Sequence, residues 1–245
     1  MSLDGARAPF VVCCALPPEA LAARIGLWRA GSPGRVVLVG MGPRSARRAA
    51  ARLSSVVPDG TPVVVVGVGG ALVAGFSPGD LVVAGALGAA GAPAVSGPAL
   101  SGSDAPAASG ELGVTRPPVA LDARSSALAD QVAAGLSARF PSTRLAPIVS
   151  AGRTAKGAER LRLGEASGAV ICDTESWWLS SLAERRPFAV VRAVVDSPER
   201  ELLSLATLTG GIIALRRLVA VTETLASLLD GAARPDPARS VPVAH

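Results

Sequence analysis

Two apolar runs joined by a short polar segment constrain the fold of this chain more than any other feature. The first run covers residues 169–172 and the second covers residues 188–195, and neither alternates apolar with polar side chains. Strands of this kind are buried on both faces, as in a sheet that helices cover on both sides. Residues 175–185 between them have the length and composition of a helix. The segment therefore predicts a strand, a helix and a second strand of an α/β fold.

Both of these predicted strands end in carboxylates. Asp173 and Glu175 follow the first strand, and Asp196 follows the second. Ligand sites of α/β sheets form beyond the carboxyl ends of strands, so we expect Glu175 and Asp196 at one edge. The dipole of the first helical turn favours an ionised Glu175, whereas burial would favour a protonated Asp196. Such a pair suits acid–base chemistry, although helix capping also accounts for acidic residues at these positions.

The rest of the chain predicts more strands of the same type, at residues 10–16, 35–40, 62–67, 81–87 and 145–150. Because no linker interrupts them, we predict a single three-layer α/β/α domain over residues 1–230, with a mostly parallel, partly mixed central sheet. Residues 88–118 are rich in Gly, Ala, Ser and Pro and are expected to form a long flexible loop, which either covers a site or is passively disordered. Residues 231–245 are expected to form a disordered tail.

Composition restricts the chemistry and the compartment. The only histidine is the last residue, so acid–base catalysis has to use carboxylates. Cys13, Cys14 and Cys172 lie in predicted strands without metal-ligand spacing, which indicates reduced thiols in a cytoplasmic protein with no metal site and no cofactor. The net charge of +5 comes from scattered arginines, so we expect no nucleic-acid partner. We also expect no signal peptide and no membrane span.

Motifs in the organising segment resemble those of the nucleoside phosphorylase and nucleosidase superfamily. Thr174-Glu175-Ser176 is similar to the Met-Glu-Ser/Ala element of that family, and Arg192 to Asp196 matches its Arg-x-x-x-Asp element. The resemblance implies that Glu175 binds ribose hydroxyls and that Asp196 is the catalytic acid for the departing purine. Thr174 replaces a Met that packs on the sugar in relatives, so it is predicted to contact the substrate.

Two further stretches resemble the same family. Residues 15–19 are similar to its Ala-Met-x-x-Glu element, which implies that Glu19 is a catalytic residue that orients the attacking water in a hydrolytic enzyme. From the residues alone, an acidic side chain that complements the helix dipole is the alternative. The glycine-rich turn after the third strand implies that Val68, Gly69 and Gly70 line the pocket for base and sugar.

The remaining candidates contact the substrate at its edges. Ser150 occupies the position of the family's Ser-Gly-Asp-x-Phe element, but no aromatic residue stands at 152–157 to stack on a base. Ser150 and Arg153 are predicted to bind substrate, with an ordinary charge at a helix start as the alternative for Arg153. If the reaction is a phosphorolysis, Arg44 is the candidate phosphate-binding residue, because it begins a helix after a Gly turn.

Residues 173–203 are most similar to the hopanoid-associated branch of the superfamily. This similarity implies that the protein hydrolyses adenosylhopane, a purine nucleoside with a triterpenoid at C5′, and releases adenine in hopanoid biosynthesis. Relatives form homo-oligomers, and an apolar front on the predicted C-terminal helix or broken helix pair, residues 201–229, either packs in the core or contacts lipid at a membrane. The alternatives are phosphorolysis of a purine nucleoside or methylthioadenosine, and a nucleoside- or lipid-binding protein without catalysis.

Overall fold

The computed structural model describes residues 8–91, 116–198 and 205–233, and the strands of this part of the chain belong to one sheet. The strands are β1 (Val11–Cys14), β2 (Arg35–Leu38), β3 (Val63–Ala71), β4 (Leu81–Ala90), β5 (Arg116–Ala120), β6 (Arg144–Ala151), β7 (Ile171–Asp173) and β8 (Phe188–Asp196). The helices are α1 (Pro17–Arg29), α2 (Gly42–Val56), α3 (Ala123–Arg139), α4 (Gly157–Ser167), α5 (Ser176–Leu179) and α6 (Leu205–Ala233), with a 3-10 helix, Ser180–Glu184, after α5.

The sheet is mixed, and part of it closes into a ring. The strands β2, β1, β3 and β8 are parallel neighbours in that order. Strand β8 pairs antiparallel with β4, β4 pairs parallel with β6, and β6 pairs parallel with β7. The short β7 then pairs antiparallel with the end of β3, so that β3, β8, β4, β6 and β7 form a closed ring. The predicted mostly parallel, partly mixed sheet is confirmed, whereas the ring was not predicted.

Helices cover both faces of the sheet, which confirms the predicted three layers. One core lies beneath α1, α3 and α6 and includes Val64 and Val66, and the other lies beneath α2 and α5 and includes Val63 and Val65. Successive side chains of β3 therefore enter opposite cores. This arrangement explains why the strand is apolar at every position instead of alternating with polar residues.

Helix α6 is continuous through Gly210 and Gly211, so of the two predicted alternatives the structure has a single helix and not a broken pair. Gly210 is needed for packing, because a Cβ there would lie 2.6 Å from the carbonyl oxygen of Val195 at the end of β8. Ile212 and Ile213 are 54% and 40% exposed, so this part of the predicted apolar front does not pack in the core. The leucines of the front lie outside the described side chains. None of the described helices is long and apolar enough to cross a membrane.

The segments predicted as loop and tail contain regular structure at their borders. Residues 88–90 belong to β4, residues 116–118 belong to β5, and α6 extends to Ala233. A segment rich in Gly, Ala and Pro shows no hydrophobic periodicity, so the sequence does not mark where these elements end. The strands that pair with them are also distant in sequence. Residues 92–115 and 234–245, where most of the predicted loop and tail fall, lie outside the described residues.

The contact between α1 and α6 leads to a stability prediction. A Cβ at Gly26 would lie 2.4 Å from the carbonyl oxygen of Val219 and 2.8 Å from Cβ of Thr222. We expect Gly26→Ala to lower the free energy of unfolding by about 1–3 kcal/mol through overpacking. This loss should appear although Ala is the better helix former by ~1 kcal/mol. Urea unfolding followed by circular dichroism measures the change.

Gly211→Ala is the matched control, because Gly211 is also helical and nothing lies within 4 Å of its added Cβ. It should be neutral or stabilising by up to ~1 kcal/mol. Equal effects of the two substitutions would contradict the close approach of α1 to α6.

Candidate active site

A cavity of about 250 Å³ lies where β3, β7 and β8 end. Gly70 of β3 pairs with Cys172 of β7 on one side and with Asp196 of β8 on the other. Residues that are far apart in sequence therefore meet at this edge. Seven of the ten predicted site residues line the cavity, namely Glu19, Val68, Gly69, Gly70, Thr174, Glu175 and Asp196.

Glu19 is buried in the first turn of α1 and is held by backbone amides. Its Oε2 accepts hydrogen bonds from the N–H groups of Ala15, at 3.0 Å, and Leu16, at 2.9 Å. Its Oε1 accepts a hydrogen bond from the N–H of Val68 at 2.8 Å. A carboxylate has about four acceptor positions, so these three bonds fix its orientation and leave room for one more donor, such as a water molecule.

Arg192, in the middle of β8, is wholly buried and binds two carboxylates. Its guanidinium lies 2.8 Å from Oδ2 of Asp173, to which Nε donates, and Nη2 donates to Oε2 of Glu175 at 3.3 Å. Nη2 also donates to the hydroxyl of Ser176 at 2.9 Å. Removing one partner from such a buried group leaves an uncompensated charge, at a cost of about 3–5 kcal/mol. Arg192 therefore keeps both acidic side chains at the cavity.

Glu175 lies one residue before α5, whereas the sequence predicted it within the first helical turn. Its Oε1 accepts hydrogen bonds from the N–H of Gly42, at 3.2 Å, and from the hydroxyl of Thr174. Burial raises the pKa of Glu175, and the Arg192 guanidinium opposes this shift. Burial therefore controls the protonation of Glu175 more than the dipole of α5 does, because α5 has only four residues.

Asp196 ends β8 and pairs with Arg160 of α4. The Nη2 of Arg160 donates to Oδ2 of Asp196 at 2.6 Å, and the two side chains are 3% and 1% exposed. The pair lies directly against Gly70, where a Cβ would be 2.8 Å from Oδ1 of Asp196 and 3.0 Å from Nη2 of Arg160. No pattern in the sequence identifies Arg160 as a site residue, because an arginine on a helix is ordinarily a solvent-exposed charge and its partner lies 36 residues away.

Three predicted residues lie outside the cavity lining. Ser150 is buried, and its hydroxyl donates to Oδ1 of Asp173 instead of facing a ligand. Arg153 is exposed and pairs with Glu159, the two side chains meeting at 2.7 Å. Arg44 is exposed near the start of α2. Ser150 thus positions a carboxylate behind the cavity, while the two arginines face solvent.

The walls of the cavity include residues that the sequence analysis did not name. Leu16 and Met41, which follow the ends of β1 and β2, contribute apolar surface, as does Val195, the last residue but one of β8. The rule that places ligands beyond strand ends was therefore a usable signal for Leu16 and Met41. Cys172 also lines the cavity, and burial raises the pKa of its thiol to about 12. Among the described residues, no aromatic side chain lines the cavity.

The described part of the chain contains no group of three His, Cys, Asp or Glu side chains arranged to hold a metal ion.

The raised pKa of Glu175 leads to a prediction about pH. The folded protein retains this proton at pH values where the unfolded chain, with an ordinary value near 4.5, has released it. The contribution of Glu175 to stability is therefore present at low pH and is lost as pH rises above that value. We expect the free energy of unfolding of Glu175→Gln, relative to wild type, to shift in favour of the variant as pH rises above about 4.5.

Urea unfolding at a series of pH values measures this difference. The exposed Glu184 provides the matched control, and Glu184→Gln tests whether any replacement of Glu by Gln produces the same shift. A shift in favour of wild type as pH rises would contradict the assigned effect of burial.

Comparisons with known proteins bear on this fold. No protein-family model matches the chain, and no curated protein matches its sequence. Solved structures do match. A putative 5′-methylthioadenosine/S-adenosylhomocysteine nucleosidase from Borrelia burgdorferi, bound to adenine, has a TM-score of 0.66 and 11% identity, over 89% of this chain and 99% of that one.

Two more structures give the same result. A futalosine hydrolase mutant of Helicobacter pylori has a TM-score of 0.65 and 16% identity, over 91% of this chain and 98% of that one. An S-adenosylhomocysteine nucleosidase from Streptococcus pyogenes, in complex with 5-methylthiotubericidin, has a TM-score of 0.65 and 16% identity, over 92% of this chain and 99% of that one. This chain therefore has the fold of these nucleosidases over most of its length, and the fold expected from the motif resemblance is confirmed.

Proposed function

We propose that this protein hydrolyses the N-glycosidic bond of a purine nucleoside. The observation that carries the proposal is the convergence of three buried carboxylates, Glu19, Glu175 and Asp196, from separate segments on one cavity. Breaking this bond requires a proton for the base, an anion beside the positive ribosyl ring and a positioned water molecule. The three carboxylates supply one group for each requirement. Similar folds that bind adenine and a nucleoside analogue support the choice of substrate class.

Asp196 acts on the leaving base in this proposal. As the glycosidic bond breaks, its electron pair goes to the base nitrogen, and Asp196 transfers a proton to the purine ring. Because Gly70 has no side chain, the buried carboxylate of Asp196 lies against the strand backbone, where a Cβ would be 2.8 Å from its Oδ1. Val68 and Gly69, which also line the cavity, extend this surface.

Glu175 binds the sugar. Ribose hydroxyls donate to its carboxylate, which then lies close to the positive charge that develops on the ring. Gly42 and Thr174 hold Oε1, and Arg192 holds Oε2, so the carboxylate is oriented before the substrate binds. Such preorganisation stabilises a transition state without a cost of reorganisation during the reaction. Thr174 and the apolar Met41 form the neighbouring wall.

Glu19 orients the attacking water. With three of its acceptor positions bound to amides, the carboxylate has one position left for a water proton. The water oxygen bonds to the ribosyl carbon, and its proton passes to Glu19. Hydrolysis is favoured over phosphorolysis, because the Gly42 amide at the start of α2 is bound to Glu175 and Arg44 is exposed outside the cavity. Among the described lining residues, Arg160 is the one cation.

The finer proposal concerns the 5′ substituent. The resemblance of residues 173–203 to the hopanoid-associated branch implies adenosylhopane, which carries a large hydrocarbon. The apolar side chains of Met41 and Val195 support a substituent of this kind. Helix α6 packs against Val195, and the exposed Ile212 and Ile213 follow within one turn of that contact. We propose that this apolar surface contacts the hydrocarbon or the membrane that contains it.

We also propose that the protein works as a cytoplasmic homo-oligomer. The described cysteines are unpaired thiols, as is usual in a reducing compartment. Leu21 and Trp28 lie seven residues apart on α1, so they share one face, and they are 58% and 80% exposed. An apolar face of this kind suits contact with a second copy. Sedimentation should show a species larger than a monomer, and Trp28→Glu should reduce it.

The direct test incubates the protein with adenosylhopane or with methylthioadenosine, in each case with and without phosphate. The released base is separated by chromatography and measured. Release without phosphate is expected. Asp196→Asn and Glu19→Gln should each lower turnover by about 10²-fold or more, because each removes a proton-transfer group. Asp130→Asn and Glu184→Gln are matched controls on exposed residues and should leave turnover unchanged.

Two other outcomes would replace the proposal. Release that depends on phosphate would make the reaction a phosphorolysis and would remove the role of Glu19. Binding of nucleosides by wild type without any release of base would indicate a binding protein that lacks catalysis.

A further inference from the structure

Another cavity lies outside the active site, as an open groove between the edge strand β2 and helix α2. Its volume is about 300 Å³. The residues that line it are Leu38, Val39, Ser45, Arg48, Ala49 and Arg52. Because Ser45, Arg48 and Arg52 follow one another at intervals of three and four residues, they share one face of α2. None of the three takes part in the proposed reaction.

The groove carries positive charge that the described residues leave unbalanced. Helix α2 contains four arginines and no acidic residue, and Arg44, Arg48 and Arg52 are all exposed. No ion pair in the described part of the chain involves any of these three. Like charges four residues apart destabilise a helix, and the helix dipole also disfavours Arg44 in the first turn. An anionic partner would offset this repulsion.

Exposed apolar side chains lie beside these arginines. Leu38 is 43% exposed, and Met41, which precedes α2, is 61% exposed. Met41 also lines the active-site cavity. Arg48 and Arg52 are seven and eleven residues further along the chain, or about 10 and 17 Å from Met41 along the helix axis at the usual rise per residue. The groove therefore begins beside the cavity that receives the substrate.

The chemistry of the groove fits a phosphate group on an amphipathic molecule. Guanidinium groups bind phosphate oxygens through paired hydrogen bonds, and the Ser45 hydroxyl adds another donor. Apolar and basic side chains next to each other are typical of surfaces that lie at the boundary between lipid headgroups and acyl chains. A second copy of the chain fits less well, because a symmetric contact through this face would bring like charges together. Duplex DNA is also anionic, but it offers no hydrocarbon to Leu38 and Met41.

We infer that the groove formed by Ser45, Arg48 and Arg52 binds the phosphate headgroup of an anionic membrane lipid. Leu38 and Met41 then face the boundary between headgroups and acyl chains, so the active-site cavity opens beside the bilayer. The inference deepens the proposed contact with a membrane, on which it rests for the choice of partner. It adds no step to the cleavage of the glycosidic bond.

The test measures co-sedimentation of the full chain with vesicles of equal parts phosphatidylglycerol and phosphatidylcholine, and with vesicles of phosphatidylcholine alone. The partition coefficient should be at least about tenfold higher for the anionic vesicles. Replacing both arginines, Arg48→Gln with Arg52→Gln, should lower partition onto the anionic vesicles about tenfold or more, because each arginine near the surface adds to the attraction. Arg116→Gln with Arg162→Gln is the matched control. It removes the same charge from exposed positions on β5 and α4 and should lower partition less than about threefold.

Wild-type protein supplies measurements that do not depend on the folding of a variant. Its partition onto anionic vesicles should fall steeply as salt is added, because salt screens the attraction between arginines and headgroups. Glycerol 3-phosphate in solution should not displace the protein from vesicles, because it lacks acyl chains.

Four outcomes would overturn the inference: equal losses in the two double variants, partition that does not respond to salt, displacement by glycerol 3-phosphate, or preference for duplex DNA over anionic vesicles. Release of base from methylthioadenosine is measured without vesicles. The proposed activity and the lipid site can therefore fail independently of each other.

Discussion

The architecture of the site depends on the compensation of buried negative charge by Arg192. This residue occupies the centre of β8, where its neighbours are aliphatic, and it has no contact with solvent. Asp173, which it binds, also accepts hydrogen bonds from the hydroxyls of Ser150 and Ser176 and from the N–H groups of Glu175 and Ser176. A carboxylate this deep is stable only when its oxygens are bound to donors. The same network that stabilises the ring of strands therefore holds Glu175 in place.

The glycines of β3 make room for these charged groups. A Cβ at Gly67 would lie 2.3 Å from Nη1 of Arg192 and 2.8 Å from Oε1 of Glu19. Gly70 has the same relation to Arg160 and Asp196. The second half of the strand thus serves as a flat surface on which these acidic and basic side chains lie. The strand contains these glycines because larger residues would collide with the side chains of the site, and not because the chain turns there.

The fold was largely predictable from the sequence, and the site was predictable in part. Unbroken apolar runs identify strands that are covered on both faces, and the end of a strand identifies the edge where ligands bind. These local rules bring Glu175 and Asp196 to one edge. They do not show which strands are neighbours, because pairing such as β7 with β3 depends on contacts between residues that are 100 or more positions apart in the chain.

Arg160 and Ser150 show where sequence reasoning ends. The motif that contains Ser150 indicates a substrate contact, but its hydroxyl is bound to Asp173 behind the cavity. Arg160 has no local pattern that separates it from the exposed arginines of the same chain. Its pairing with Asp196 depends on burial, and burial is a property of the assembled fold. Charged residues of this kind become recognisable only when their partners are known.

The most direct test of the account is a crystal structure of the protein with a purine nucleoside analogue that cannot be hydrolysed. The account predicts that the analogue occupies the cavity, with a ring nitrogen within about 3 Å of Asp196 and the ribose hydroxyls within about 3 Å of Glu175. It also predicts an ordered water molecule on Glu19 near the glycosidic carbon. An analogue bound elsewhere, or bound in the cavity with its ribose away from Glu175, would contradict the assignment of this site as a nucleoside N-glycosidase.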